Sequence, residues 1–275
     1  MTVDDARRAI EPLQLYFRYL GVSIRAQMQY RASFVLAVLG QFFLTGIEFL
    51  GLWALFDRFG SLEGFSLAEV ALFYGVVNVS FAVADALSAG FDQFATFVKT
   101  GAFDRLLLRP RSTVLQLAGV ELTLRRIGRL AQGLIILSWA IVALDVAFTP
   151  ATLALLLFSV VGGACLFFAL FVLQAAICFF TTESLELMNT MTYGGVESAQ
   201  YPIAIYAPWF RRFFTFVVPL ACVSYFPLLA VLGRDDPLGS PLWFQWASPA
   251  AGLVFLVVGV QVFRFGVRRY TSTGS

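Results

Sequence analysis

Histidine is absent from the 275 residues, lysine occurs once, at Lys99, and only 13% of the chain is charged. Each shortage removes a class of function. Without histidine there is no HExxH zinc site and no Ser–His nucleophile pair. A P-loop needs a glycine directly before its lysine, and Val98 precedes Lys99, so the chain has no nucleotide-hydrolysing loop of that kind. No G-x-S-x-G elbow occurs either. The three cysteines, Cys165, Cys178 and Cys222, lie in apolar stretches without a CxxC pair, where a thiol behaves as a small hydrophobe. Net charge is only +2, and no basic domain offers itself to nucleic acid.

What is abundant is apolar surface. The chain is 59% hydrophobic and 16% aromatic, with a mean hydropathy of +0.81. Soluble domains hold about 45–50% apolar and about 25% charged residues, so most of this surface needs lipid as its solvent. The apolar runs are continuous rather than alternating, which predicts helices and not a β-barrel. They cover 33–56, 67–89, 127–148, 152–180 and 250–267. Another, 213–232, is broken by Pro219 and Pro227, and a more polar helical candidate spans 183–205. The first 32 residues carry Asp4, Asp5, Arg7, Arg8, Glu11, Arg18, Arg25 and Arg31, which is no secretory signal. Within them, 12–28 mixes aliphatic and aromatic residues with arginine, the pattern of a helix lying in the membrane interface.

Orientation follows from the positive charges, which are retained on the cytoplasmic side. Most of the 19 fall in three segments that must share a side. Five precede the first span and seven lie between the second and third: Lys99, Arg105, Arg109, Arg111, Arg125, Arg126 and Arg129. The tail adds Arg264, Arg268 and Arg269. Both termini are expected in the cytoplasm. That parity requires one further crossing before the last span, by either 183–205 or 213–232; Arg211 and Arg212 on their own favour the second.

The segment 91–111 between the second and third spans carries the most information. Phe91, Phe94, Phe97 and Val98 recur at helical spacing, Gly101 interrupts, 103–108 forms a second apolar turn and Pro110 stops it. Such a bent amphipathic helix is either an interfacial anchor or a surface that docks into a cytoplasmic partner. Its second half, KTGAFDRLLLRPRS at 99–112, resembles the G-x-[aromatic or Leu]-[Asp/Glu]-x-Leu-Leu-x-x-Pro signature of type-2 ABC exporter permeases. The run YPIAIYAPWFRRFFTFVVPLACVSYFP, 201–227, is similar to that family's Pro-x-Trp-Leu-Arg … Pro-Leu segment. The tail FRFGVRRYTSTGS, 263–275, is similar to a subgroup of uncharacterised permeases often encoded in pairs beside an ATPase.

The resemblance spans essentially the whole chain and implies the following. The fold is an all-α integral membrane bundle of six transmembrane helices, with an amphipathic N-terminus (1–32), a transmembrane domain (33–268) and a cytoplasmic tail (269–275). The segment 91–111 is the coupling helix, and 207–232 is an outer re-entrant hairpin, which puts Arg211 and Arg212 outside and makes 183–205 the fifth crossing. The protein sits in a bacterial cytoplasmic membrane as a permease subunit that pairs with itself or a paralogue. ATP and Mg are bound by separate ABC ATPase subunits, and the chain itself holds no cofactor or metal and is no enzyme. The residues expected to meet the ATPase are Phe91, Phe94, Phe97, Lys99, Phe103, Asp104, Arg105, Leu106, Leu107 and Arg109.

Polar residues inside spans are costly, each carboxylate at mid-span by about 2.5–3.5 kcal/mol, and mark pathways or buried pairs. Gln41, Thr45 and Glu48 share one face of the first span. Asn78 and Asp85 share one in the second, beside small residues Ala82, Ala86 and Gly90 suited to close packing. On 183–205, Glu183, Glu186, Asn189, Thr190, Tyr193, Glu197 and Gln200 line one face at 100° per residue, with Gly195 away from it. Pathway candidates are therefore Gln41, Glu48, Asn78, Asp85, Glu186, Asn189, Tyr193 and Glu197. Arg129 is a possible partner for Glu48 or Asp85, and Glu121 with Arg125 reads as a surface pair. A non-transporting scaffold would need the docking helix but no polar pathway. A proton-coupled carrier would leave the docking helix without a role.

Overall fold

A capping box opens the helix around which the rest is arranged. The Glu69 N–H donates to Ser66 Oγ at 3.3 Å and the Ser66 N–H donates to Glu69 Oε2 at 2.7 Å, satisfying two helix-end donors reciprocally. The computed structural model describes residues 21–22, 24–120, 126–144, 146, 148–180 and 185–271, with backbone alone for 185–189. Among these, regular structure is helical apart from one bridge between Leu62 and Phe65.

In chain order the helices are α1 (Arg31–Phe59), α2 (Leu67–Leu87), α3 (Ala89–Asp92), α4 (Phe94–Lys99), α5 (Ala102–Leu107), α6 (Thr113–Ala118) and α7 (Ile127–Ala143). There follow α8 (Pro150–Ile177), α9 (Leu185–Ala199), α10 (Pro208–Arg212), α11 (Leu220–Val223), α12 (Tyr225–Leu232), α13 (Leu242–Ala247) and α14 (Ala250–Arg269). Among the described residues four helices are long and apolar enough to cross a membrane: Ile24–Phe59, Leu67–Leu87, Pro150–Ile177 and Ala250–Arg269. A fifth is available if the bent pair Pro208–Val217 and Leu220–Leu232, which meet at 72°, forms one span. At 1.5 Å per residue, α7 is about 26 Å long and α9 about 22 Å, both shorter than a bilayer core of about 30 Å. The all-helical membrane architecture thus stands, with four to five span candidates where six crossings were expected. The interfacial N-terminus lies largely outside the described residues; its last part, from Ile24, is helical and leads into α1 through a 3-10 turn at Met28–Tyr30.

α2 is buried without interruption from Val70 to Ala82, as a helix apolar on every side should be. α7 and α8 pack against it, α14 packs against α8, and α1 lies on α7. Close approach is permitted by small residues. A Cβ on Gly75 would sit 2.8 Å from Leu137 Cα, and one on Gly163 would sit 2.6 Å from Ser80 Oγ. Ser80 spends its hydroxyl on the same seam, donating to Val76 O at 2.7 Å and across to Val160 O at 3.1 Å.

The two ends of α2 define the two ends of the bundle. At its start, Arg234 beyond α12 donates to Gly64 O at 2.8 Å, pairs with Glu69 at 3.3 Å and covers the Phe65 ring at 4.5 Å. The bent pair's return loop is therefore tied to the α1–α2 connection. At the other end, α2 stops at Ser88 and the chain folds into three short helices, α3 to α5, against the C-terminal ends of α8 and α14.

Candidate functional site

Two constellations stand out, one in the short helices and one between the long ones. The first is aromatic. Phe91 meets Phe168 and Phe263 edge-on at 5.4 and 5.7 Å. Phe94 meets Phe103, Phe179 and Phe263 at 4.9, 5.0 and 5.5 Å. Phe103 meets Phe179 and Tyr270 at 5.6 and 5.1 Å. Edge-to-face pairs are worth about 0.5–1.5 kcal/mol each beyond burial, and the shared rings make one continuous joint. It fastens α3–α5 to Phe179 after α8 and to Phe263 and Tyr270 at the end of α14. Gly101 makes the corner between α4 and α5 in the left-handed region at φ +65°, where a side chain is disfavoured. The Tyr270 phenol is pushed above its ordinary value, chiefly by burial and further by the neighbouring Asp104 carboxylate.

This corrects the expected docking surface. Phe91, Phe94 and Phe103 are fully buried, and Phe97 and Leu106 are packed against the core. They cannot reach a partner, because the bundle's own aromatics already occupy that face. The outward side carries Lys99, Arg105, Leu107, Arg109 and Arg111, together with Leu108, which is 84% exposed. Asp104 is half-buried toward the tail. Sequence periodicity picked out an amphipathic segment but could not say that its apolar side is covered by the same chain. Gln116 holds the turn after α5 by donating to Leu106 O at 3.3 Å and Arg111 O at 3.1 Å.

The second constellation is a ladder of polar side chains between α1, α2, α7 and α9. Asp85, 1% exposed, is ion-paired with Arg126. Arg129 lies one turn along α7, donates to Asn78 Oδ1 at 2.9 Å and stands 4.7 Å over the Phe81 ring. Asn78 donates back to Tyr74 O at 3.0 Å. The Tyr74 hydroxyl donates to Thr45 O at 3.0 Å, and Gln132 donates to that hydroxyl and to Thr45 O at 3.2 and 3.3 Å. Partnering of this kind is what makes buried polar groups tolerable away from water.

Glu48 on α1 and Glu197 on α9 are exposed, and Glu48 lies in electrostatic range of both Arg129 and Glu197. Tyr193 is partly exposed; its ring abuts Phe81 at 5.7 Å and its hydroxyl approaches Arg126. Gln41 is half-buried on α1. Of the expected polar face of 183–205, Thr190, Tyr193 and Glu197 are exposed and Gln200 is buried, as is Gly195, which was expected to lie away from that face. Glu186 and Asn189 lie on α9, but their side chains, like Glu183, Glu121 and Arg125, fall outside the described residues.

Asp85 has found Arg126 rather than Arg129, a partner the sequence reading passed over. The signal was present: arginines three apart at the start of a helix share a face. Gln132 and Tyr74 were also missed, since an amide and a phenol in apolar runs look like isolated polar residues until their partners are known.

The chain that forms this ladder and the basic amphipathic elbow made by α3–α5 is matched over residues 42–274 by the family model described as ABC-2 family transporter protein. The chain belongs to the ABC-2 transporter family. Its members are membrane permeases of ABC transporters, the non-catalytic membrane part of such systems. No curated protein and no solved structure matches this ABC-2 protein. The match takes in both constellations, from α1 through the tail, so the family relation covers the elbow, the polar ladder and the bent pair together.

Proposed function

We propose that this ABC-2 permease is the pathway-forming subunit of an ATP-driven exporter. Two copies, or one copy and a paralogue, enclose a route lined by the face that carries Glu48, Tyr193 and Glu197. A separate ATPase, holding ATP and Mg, docks on Lys99, Arg105, Leu107, Leu108 and Arg109. The single observation behind this reading is the aromatic joint. A partner that moves the elbow moves the ends of α8 and α14 with it, because Phe94, Phe103, Phe179, Phe263 and Tyr270 pack as one body. Coupling requires contacts that differ between two states, and a rigid lever is the means of conveying them.

In this reading the elbow and both termini are cytoplasmic and the bent pair is a re-entrant hairpin on the far side, leaving α9 as the fifth of six crossings. The tie from Arg234 to Glu69 and Gly64, at the opposite end of α2 from the elbow, supports that arrangement. Prolines at 219 and 227 suit backbone that turns at membrane depth under cover of protein. The test is co-purification of the ATPase with a Leu107→Asp/Leu108→Asp double variant. Loss of the ATPase with normal membrane insertion is expected, and undiminished co-purification would refute the docking surface.

A further inference from the structure

At the hairpin end of the bundle, a groove of about 600 Å³ opens between the bent pair and the loop leading to α13. Arg211, Arg212 and Thr215 line one wall, and Phe216, Phe226 and Phe244 supply the apolar part. Among the described residues neither arginine makes an ion pair or a side-chain hydrogen bond. The acid that shares the groove is already engaged. Asp236 Oδ1 accepts from the Tyr225 hydroxyl and from Leu238 N–H, both at 3.0 Å, and Oδ2 accepts from Ser240 N–H at 3.0 Å. Two adjacent guanidiniums thus line the groove with no ion pair among the described residues, whereas the buried Asp85 is paired with Arg126.

The surroundings say what kind of anion fits. Trp209, Phe216 and Val217 on the bent pair are 70%, 80% and 59% exposed, and Trp243 on α13 is 71% exposed. Aromatic residues exposed in this way belong to the membrane–water boundary. A soluble anion would satisfy the arginines and leave these walls bare. A lipid without phosphate would cover the walls and leave the charges bare, and a zwitterionic one would bring its own ammonium against the two arginines. We infer that the groove binds the phosphate headgroup of an anionic phospholipid, with Arg211 and Arg212 on the phosphate and an acyl chain along Phe216. Guanidinium is the group best matched to phosphate, through paired charge-assisted hydrogen bonds. The site goes beyond the transport reading and holds whether or not the lipid is itself moved.

The test is a binding titration of the intact detergent-purified protein with short-chain phosphatidylglycerol, short-chain phosphatidylcholine and glycerol 3-phosphate. Phosphatidylglycerol is expected to bind about tenfold tighter than phosphatidylcholine, the scale of one or two charge-assisted hydrogen bonds. Glycerol 3-phosphate should fail to compete. Arg211→Gln/Arg212→Gln should erase the preference, while Arg58→Gln, which removes an exposed arginine at the end of α1, should leave it intact. Should the double variant aggregate, Arg212→Gln alone, at an exposed position, should lower the preference in the same direction. Equal binding of the two lipids would overturn the proposal, as would a preference that survives the double variant or vanishes equally in Arg58→Gln. Competition by glycerol 3-phosphate at the lipid's own affinity would replace the lipid with a soluble anion.

Discussion

α1 and α2 have the same mean hydropathy over their most apolar stretches, yet 78% of that stretch is buried in α2 and 11% in the helix containing α1. Hydropathy reports only that a helix prefers lipid to water. What separates the two is side-chain size along the helix and what lies opposite it. Gly75 of α2 is pressed against Leu137, whereas Gly40, Gly46 and Gly51 of α1 have nothing within 4 Å of a modest side chain. Lipid tails are as apolar as leucine, so burial in a membrane bundle is decided by packing and polar pairing rather than by hydrophobicity. α2 uses both over most of its surface; α1 uses them along one stripe, where Val38 comes up against Gly128 of α7, Phe49 meets Tyr74 and Trp139, and Thr45 O accepts from Tyr74 and Gln132. Its open face is the one that the proposed pairing with a second permease subunit would cover.

The comparison can be broken most severely at the buried charges. Removing one partner of a buried ion pair costs about 3–5 kcal/mol, because the other charge is stranded. Arg126→Gln should therefore lower the thermal midpoint of the purified protein sharply, and Asp85→Asn on top of it should recover much of the loss. Failure of the double variant to recover would mean that the pair is not what α2 depends on.

Next in size is the joint. Phe103→Ala removes a fully buried ring, a change that costs about 3–5 kcal/mol in a protein core and less where neighbours can relax. Leu108→Ala, a few residues on and exposed, should leave the midpoint within about 0.5 kcal/mol of the parent. Fluorescence-detected gel filtration after heating distinguishes them, and equal effects would show that the elbow has no inside and outside.

A paired substitution sharpens the contrast between the two helices themselves. Gly75→Leu forces extra volume into a filled seam and should cost about 1–3 kcal/mol or prevent folding outright. Gly51→Leu on α1 should be nearly neutral for the isolated subunit. Comparable destabilisation from Gly51→Leu would mean that α1 is packed within the protomer after all.

The smallest stability effect belongs to Glu48→Gln with Glu197→Gln, exposed positions whose replacement should shift the midpoint by no more than about 0.5 kcal/mol. Transport, or substrate-stimulated ATP turnover in the reconstituted complex, should nonetheless fall. Intact transport would favour the reading in which the permease is a scaffold.

Much of the fold was legible in the sequence because the bilayer restricts it. Predicted starts at 67, 127 and 250 coincide with α2, α7 and α14, and 152–180 falls within a few residues of α8. The first span begins earlier than expected, since tyrosine and arginine at 30 and 31 carry polar tips that reach water in an interface and so do not exclude a helix there. The candidate sites were legible in location more than in role. Phe91, Phe94 and Phe103 have the spacing of an amphipathic face, and spacing is indifferent to whether that face is covered by a partner or by the same chain.

Apolar run length thus determined by itself that this chain is a helical membrane protein, and its motifs pointed to the ABC-2 permease family. Those features depend on transfer between water and lipid, a property each segment has on its own. Only the tertiary structure decided that Arg126, not Arg129, neutralises Asp85, that Tyr74 and Gln132 meet at Thr45, and that the elbow's aromatics bind its own bundle. Those outcomes depend on which side chains come within 3–6 Å of one another across residues far apart in the chain, and no single segment carries that distance.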